Sequence, residues 1–110
     1  MKIRIPIHVR ENPQTIMRRA GYATFNDPNT GITSFTKRLN QRGDFYPRFH
    51  VYAEQEDNQW VLNMHLDQKK PSYAGSHAHN ADYDGPVVSR EAERIEHVIA
   101  TFNQQPTTPA

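Results

Sequence analysis

The chain has 110 residues, of which 35% are hydrophobic and none is cysteine. That length suffices for one compact core and is short for two ordinary domains. The lack of cysteine excludes disulfide bonds, thiolate metal ligands and cysteine nucleophiles, so a metal would have to be held by His, Asp or Glu. The net charge of +1 disfavours a protein that coats nucleic-acid phosphates over its whole surface.

The N-terminal part predicts a strand followed by a short helix. Over residues 2–9, apolar side chains alternate with polar ones around a proline, which is typical of a half-buried edge strand. This segment carries charges and lacks the apolar run of a signal peptide or membrane span, so we expect a cytoplasmic protein without membrane contact. Asn12 and Pro13 are typical of a helix start and Gly21 of a helix end, which predicts a helix over residues 13–20.

A turn-rich segment and a second strand follow. Residues 26–31 read Asn-Asp-Pro-Asn-Thr-Gly, which predicts a turn. Residues 32–39 fit one face of a helix as well as a strand. The threonines and Phe35 favour the strand, and residues 40–44 then predict a polar hairpin loop.

The strongest pattern lies over residues 46–68, where two alternating segments flank a polar turn. With Asp57 and Asn58 at the tip, the two strands form an antiparallel hairpin in which three apolar pairs, Phe49 with Leu66, Val51 with Met64 and Ala53 with Leu62, share one face. A slip of one residue would set apolar against polar side chains, so the pattern itself defines the register. The polar face then pairs Arg48 with Asp67, His50 with His65, and Tyr52 with Asn63.

The C-terminal part predicts a long connection and a second helix. Residues 69–86 are irregular in pattern, and so long a connection inside a compact domain is often a functional loop. Ser89 predicts the cap of a helix that buries Ala92, Ile95, Val98, Ile99 and Phe102, and its charged residues resemble ordinary surface pairs. We expect one domain over residues 1–103, a flexible tail over 104–110, and an α+β fold of order β-α-β-β-β-α with a mainly antiparallel sheet.

The histidines suggest a site on the hairpin. Four of the six lie between positions 50 and 79. Opposed residues of an antiparallel pair have β-carbons about 4.5 to 5.5 Å apart, so His50 and His65 can converge on one ion. Asp67 lies on the same face, which predicts a ligand set of two imidazoles and a carboxylate for zinc or another divalent metal.

The following loop offers further candidates. His79, or else His77, Asp82 or Asp84, could add a ligand to this set. Lys69 and Tyr73, together with Arg48, would bind a phosphate or carboxylate group of a substrate. Arg48 and Asp67 have a simpler interpretation as a cross-strand ion pair, which is worth little at an exposed site.

These features favour a small metal-dependent or histidine-based hydrolase acting on a phosphate-containing substrate, with His50, His65 and Asp67 as its catalytic residues. In a metal-free version, the two histidines act as general acid and base. One alternative is an RNA- or DNA-binding module that uses Lys37, Arg38 and Arg48. Another is a protein-interaction domain that forms a homodimer through the edge strand at residues 3–9.

Three strings resemble those of a family of small bacterial proteins without an assigned activity: Tyr46-Pro-Arg-Phe-His50, His65-Leu-Asp-Gln-Lys69 and Asp82-Tyr-Asp-Gly85. The resemblance spans roughly residues 10 to 96. It implies a bacterial source and no particular chemistry. The sequence contains no Walker loop, dinucleotide fingerprint, hydrolase elbow or zinc-finger pattern.

Overall fold

The structure, a computed structural model, describes residues 1–39, 47–68, 81–82 and 85–103. These residues form a six-stranded antiparallel sheet with two helices packed on one of its faces, which confirms the predicted α+β class. The strands are β1 (Lys2–Arg4), β2 (Ala23–Asn26), β3 (Thr33–Arg38), β4 (Arg48–Glu56), β5 (Gln59–Asp67) and β6 (Ala81–Asp82), and the helices are α1 (Pro13–Arg19) and α2 (Pro86–Asn103). Within these residues, no helix combines the length and apolar character that a membrane crossing requires.

The strand order is β1-β5-β4-β3-β2. The short strand β6 pairs with the same edge of β5 as β1 does. The sequence predicts β3 correctly but does not predict β2 or β6. The four residues of β2 are all exposed, and β6 has only two residues, so neither leaves an alternating pattern to detect. β1 is shorter than predicted: it ends at Arg4, and Ile7 is 73% exposed.

The hairpin of β4 and β5 has the predicted register, with Arg48 opposite Asp67 and His50 opposite His65. Asp57 and Asn58 form its tip with φ angles of +51° and +64°. Two consecutive left-handed residues are what a type I′ turn requires, and Asn and Asp tolerate this conformation better than most residues. The turn and the alternation therefore specify the same pairing.

Replacing Asn58 with glycine is expected to stabilise the fold. Glycine adopts the left-handed conformation without the penalty of a β-carbon, so we expect a gain of up to about 1 kcal/mol. Urea unfolding should show a higher midpoint with an unchanged m value. Gln59→Gly, placed in β5 beside the turn, should instead lower the midpoint. A lower midpoint for Asn58→Gly would contradict this description of the turn.

The core lies between the inner face of the sheet and the two helices. Asn12 caps α1 by accepting a 2.8 Å hydrogen bond from the Thr15 amide. The prediction that Ser89 caps the second helix is wrong, because α2 begins at Pro86 and the Ser89 amide already donates to the Gly85 carbonyl at 2.9 Å. The buried apolar residues of the helices are Pro13, Ile16, Met17, Val88, Ala92, Ile95 and Ile99.

A polar cluster formed by Tyr22, Glu91 and Arg94 connects α2 to the C-terminal end of α1 through hydrogen bonds. Glu91 is only 7% exposed, although the sequence suggests ordinary surface charges there. Its carboxylate accepts a 2.7 Å hydrogen bond from the Tyr22 hydroxyl and two from Arg94 at 2.7 and 2.8 Å. Arg94 also donates to the Ala20 carbonyl at 2.6 Å. Burial raises the pKa of Glu91, but the hydrogen bonds from Arg94 and Tyr22 outweigh burial and hold it below the ordinary value.

Replacing Glu91 with alanine is expected to destabilise the protein by about 2 kcal/mol. The change removes the shared acceptor of Tyr22 and Arg94. It leaves the buried Tyr22 hydroxyl without this partner, whereas the Arg94 side chain is 40% exposed and keeps its bond to the Ala20 carbonyl. Chemical unfolding measures the effect, with the exposed neighbour Glu93→Ala as a matched control that should shift stability by less than about 0.5 kcal/mol. Equal effects of the two changes would contradict a stabilising role for this cluster.

Candidate metal centre

His50, His65 and Asp67 lie together on the face of the hairpin opposite the helices. His50 and His65 occupy paired positions of β4 and β5, and Asp67 follows His65 by one full alternation. One ligand atom from each of the three residues lies within 4.8 Å of the other two. The sequence therefore predicted this juxtaposition correctly from alternation and turn position.

Asp67 is the shared acceptor of the cluster. Its Oδ1 lies 2.7 Å from Nε2 of His65, and its Oδ2 lies 3.5 Å from Nδ1 of His50. Arg48 Nε donates to the same Oδ2 at 3.2 Å. The predicted Arg48–Asp67 ion pair is thus present, and it shares its carboxylate with both imidazoles.

This face of the hairpin is much less exposed than its polar sequence suggests. His50 is 7% exposed and Arg48 is 8% exposed, so the ion pair is not the weak, solvent-screened contact expected from the sequence. Burial raises the pKa of Asp67, but the hydrogen bonds and charges of His50 and His65 outweigh burial and place that pKa well below the ordinary range. Asp67 is therefore a carboxylate at neutral pH.

Two further side chains hold the imidazoles in place, and the sequence singled out neither of them for this role. The Tyr52 ring lies 4.4 Å from the His50 ring and 6.1 Å from the His65 ring, measured between centroids. Ser34 Oγ lies 2.8 Å from Nε2 of His50. Alternation placed Tyr52 on the correct face. Ser34 instead depends on the pairing of β3 with β4, and the loop predicted over residues 40–44 did not define the register of that pairing.

The geometry allows a cation to bind. Ligands at about 2.0 to 2.2 Å from a tetrahedral ion lie about 3.3 to 3.6 Å from one another. The 3.5 Å between His50 Nδ1 and Asp67 Oδ2 matches this separation, whereas the 2.7 Å contact of His65 with Asp67 is a hydrogen bond that would have to lengthen. Arg48 opposes binding in part, because its positive charge lies on the same carboxylate. Three protein ligands would leave a fourth position for water.

Other predicted site residues lie outside the described part of the chain. The structure does not describe residues 69–80, which include His79, the candidate further ligand, and Lys69 and Tyr73, the candidate substrate contacts. His77 lies in the same range, and Asp84 also lies outside the described residues. For Asp82 only the backbone is described. The chain does return to the edge of the sheet beside the cluster, because Ala81 pairs with Asp67.

The basic residues proposed for nucleic-acid binding are divided between the two faces of the sheet. Arg38 pairs with Arg48 on the face of the candidate centre. Lys37, one residue earlier, lies on the opposite face, where its charge contributes to lowering the pKa of Glu91. The nucleic-acid and homodimer hypotheses stay predictions.

The features that define the candidate centre are therefore the paired histidines, the shared carboxylate and the neighbouring arginine, all from the one hairpin of β4 and β5. The interpretation of this centre rests on the distances between these side chains and on their chemistry. Comparison of the chain with protein-family models, with curated proteins and with solved structures gave no match.

Proposed function

We propose that His50, His65 and Asp67 bind a divalent cation, best zinc, and that the bound ion activates water for hydrolysis of a phosphate-containing substrate. The observation that carries the proposal is the convergence of three ligand atoms within 4.8 Å on one hairpin. Two imidazoles and one carboxylate are ligands that zinc commonly takes in catalytic sites. Such sites keep one position open for water.

The chemistry follows from the charges of the cluster. A zinc ion lowers the pKa of bound water to about 7, which supplies hydroxide at neutral pH. Arg48, held against Asp67 at 3.2 Å, would lie beside such an ion. Its charge opposes cation binding in part, but guanidinium groups are suited to phosphate oxygens. Contacts of Lys69 and Tyr73 with the substrate belong to the same proposal.

A metal-free mechanism is the second candidate, and one contact favours it. His65 Nε2 lies 2.7 Å from Asp67 Oδ1, an arrangement in which a carboxylate orients an imidazole for proton transfer. In this version His50 and His65 act as general acid and base on the phosphate ester. The two mechanisms differ in whether a chelator removes activity.

The proposal is tested with protein purified without a histidine tag and stripped with a chelator. Calorimetric titration with zinc should show one saturable site per chain. Free zinc at 100 times its dissociation constant should stabilise the fold by about 2.7 kcal/mol. Hydrolysis of bis(p-nitrophenyl) phosphate should appear on adding zinc and disappear with the chelator. No zinc binding would overturn the metal proposal, and activity that survives the chelator would favour the acid-base version.

A further inference from the structure

We infer that Ser34 is a positioning residue that selects which ring nitrogen of His50 faces the cation. This inference rests on the proposed function, because it concerns the same site. Ser34 is only 2% exposed, and its Oγ lies 2.8 Å from Nε2 of His50. The other ring nitrogen, Nδ1, faces Asp67 Oδ2 at 3.5 Å. The ring is thus held between a hydroxyl on one side and the ligand carboxylate on the other.

The chemistry of a metal-bound imidazole gives the hydroxyl its role. A histidine that binds a metal is neutral, and the nitrogen that does not bind the metal carries the proton and donates it to a nearby acceptor. With Nδ1 directed at the cation, Nε2–H donates to Ser34 Oγ. Because a hydroxyl can also donate, Ser34 can instead donate to Nε2 when Nδ1–H faces Asp67 without a metal. Ser34 can therefore form a hydrogen bond with His50 whichever ring nitrogen carries the proton.

The backbone keeps Ser34 where this role requires it. Ser34 lies in β3, paired with Phe25 of β2 on one side and with Tyr52 of β4 on the other. The Tyr52 ring packs against His50 at 4.4 Å, so the imidazole has little room to turn. A ligand nitrogen fixed by both packing and a hydrogen bond binds a metal with less loss of conformational freedom.

Zinc affinity, measured by competition with a chromophoric chelator, tests the inference. Ser34→Ala should weaken zinc binding by about 10- to 100-fold, the usual effect of losing a hydrogen-bond partner of a metal-bound histidine. Ser34→Thr keeps the hydroxyl and should recover most of the affinity. Thr36→Val is the matched control, because it removes a hydroxyl from the same strand at the position paired with His50, and it should leave the affinity unchanged.

The ¹⁵N NMR signals of His50 in the zinc-loaded wild type provide a test that does not depend on whether any variant folds. We expect metal-bound Nδ1 and protonated Nε2. Zinc on Nε2 would overturn the inference, as would unchanged zinc affinity in a folded Ser34→Ala variant, and the proposed zinc site would stand in both cases. A wild type that binds no zinc would instead overturn the proposed function and this inference with it.

Discussion

Replacing Asp67 with asparagine is expected to destabilise the metal-free protein by about 3 kcal/mol at neutral pH. Asparagine keeps the shape of the side chain but removes the charge that Arg48, His50 and His65 share. The Arg48 side chain is largely buried, so loss of this carboxylate is not compensated by water. Urea unfolding in the presence of a chelator measures the difference.

The effect of Asp67→Asn should depend on pH in a defined direction. The folded-state pKa of Asp67 lies below its unfolded value, so the unfolded state takes up the proton first as the solution is acidified. The stability from this carboxylate is therefore complete above an unfolded pKa of about 3.9 and is lost as pH falls further toward the folded-state pKa. The wild type and the variant should converge in that range.

Asp57→Asn is the matched control, since it makes the same chemical change at an exposed position on the hairpin tip. We expect it to alter stability by less than about 0.5 kcal/mol. A difference between wild type and Asp67→Asn that is the same at pH 7 and in strong acid would show that the charge of Asp67 does not stabilise the fold.

Replacing His65 with alanine is expected to weaken zinc binding by more than about 100-fold, because loss of a direct ligand should exceed the effect of losing a hydrogen-bond partner. The residue is partly exposed at the surface of the hairpin, so the variant should still fold. Calorimetry or chelator competition measures the affinity, and circular dichroism verifies the fold.

Two exposed histidines provide controls for adventitious zinc binding. Neither His8 nor His97 belongs to the group formed by His50, His65 and Asp67, and their alanine variants should bind zinc like the wild type. If His97→Ala loses the affinity and His65→Ala retains it, the ion binds elsewhere on the chain and the proposed site is wrong.

The pairing of His50 with His65 could be predicted from sequence because two local signals agree. Alternation assigns each residue of the hairpin to a face, and the turn at Asp57 and Asn58 fixes which residues oppose each other. Asp67 then follows from the same alternation. The part of the site that lies on one hairpin is therefore contained in a contiguous stretch of sequence.

The contribution of Ser34 could not be predicted in the same way. It reaches His50 across the pairing of β3 with β4, and the residues that join these strands carry no tight-turn signal that would fix the register. Burial was also missed: Arg48 and Glu91 are charged residues that a pattern assigns to the surface, yet both are buried, and Glu91 is buried against Tyr22, a partner distant in sequence. Only tertiary packing brings such partners together.

The most direct test is a crystal of the zinc-loaded protein with diffraction data collected at the zinc absorption edge. We expect one anomalous peak, about 2.0 to 2.2 Å from His50 Nδ1, His65 Nε2 and a carboxylate oxygen of Asp67. A peak found only at His8 or His97, or no peak at all, would contradict the proposed metal centre.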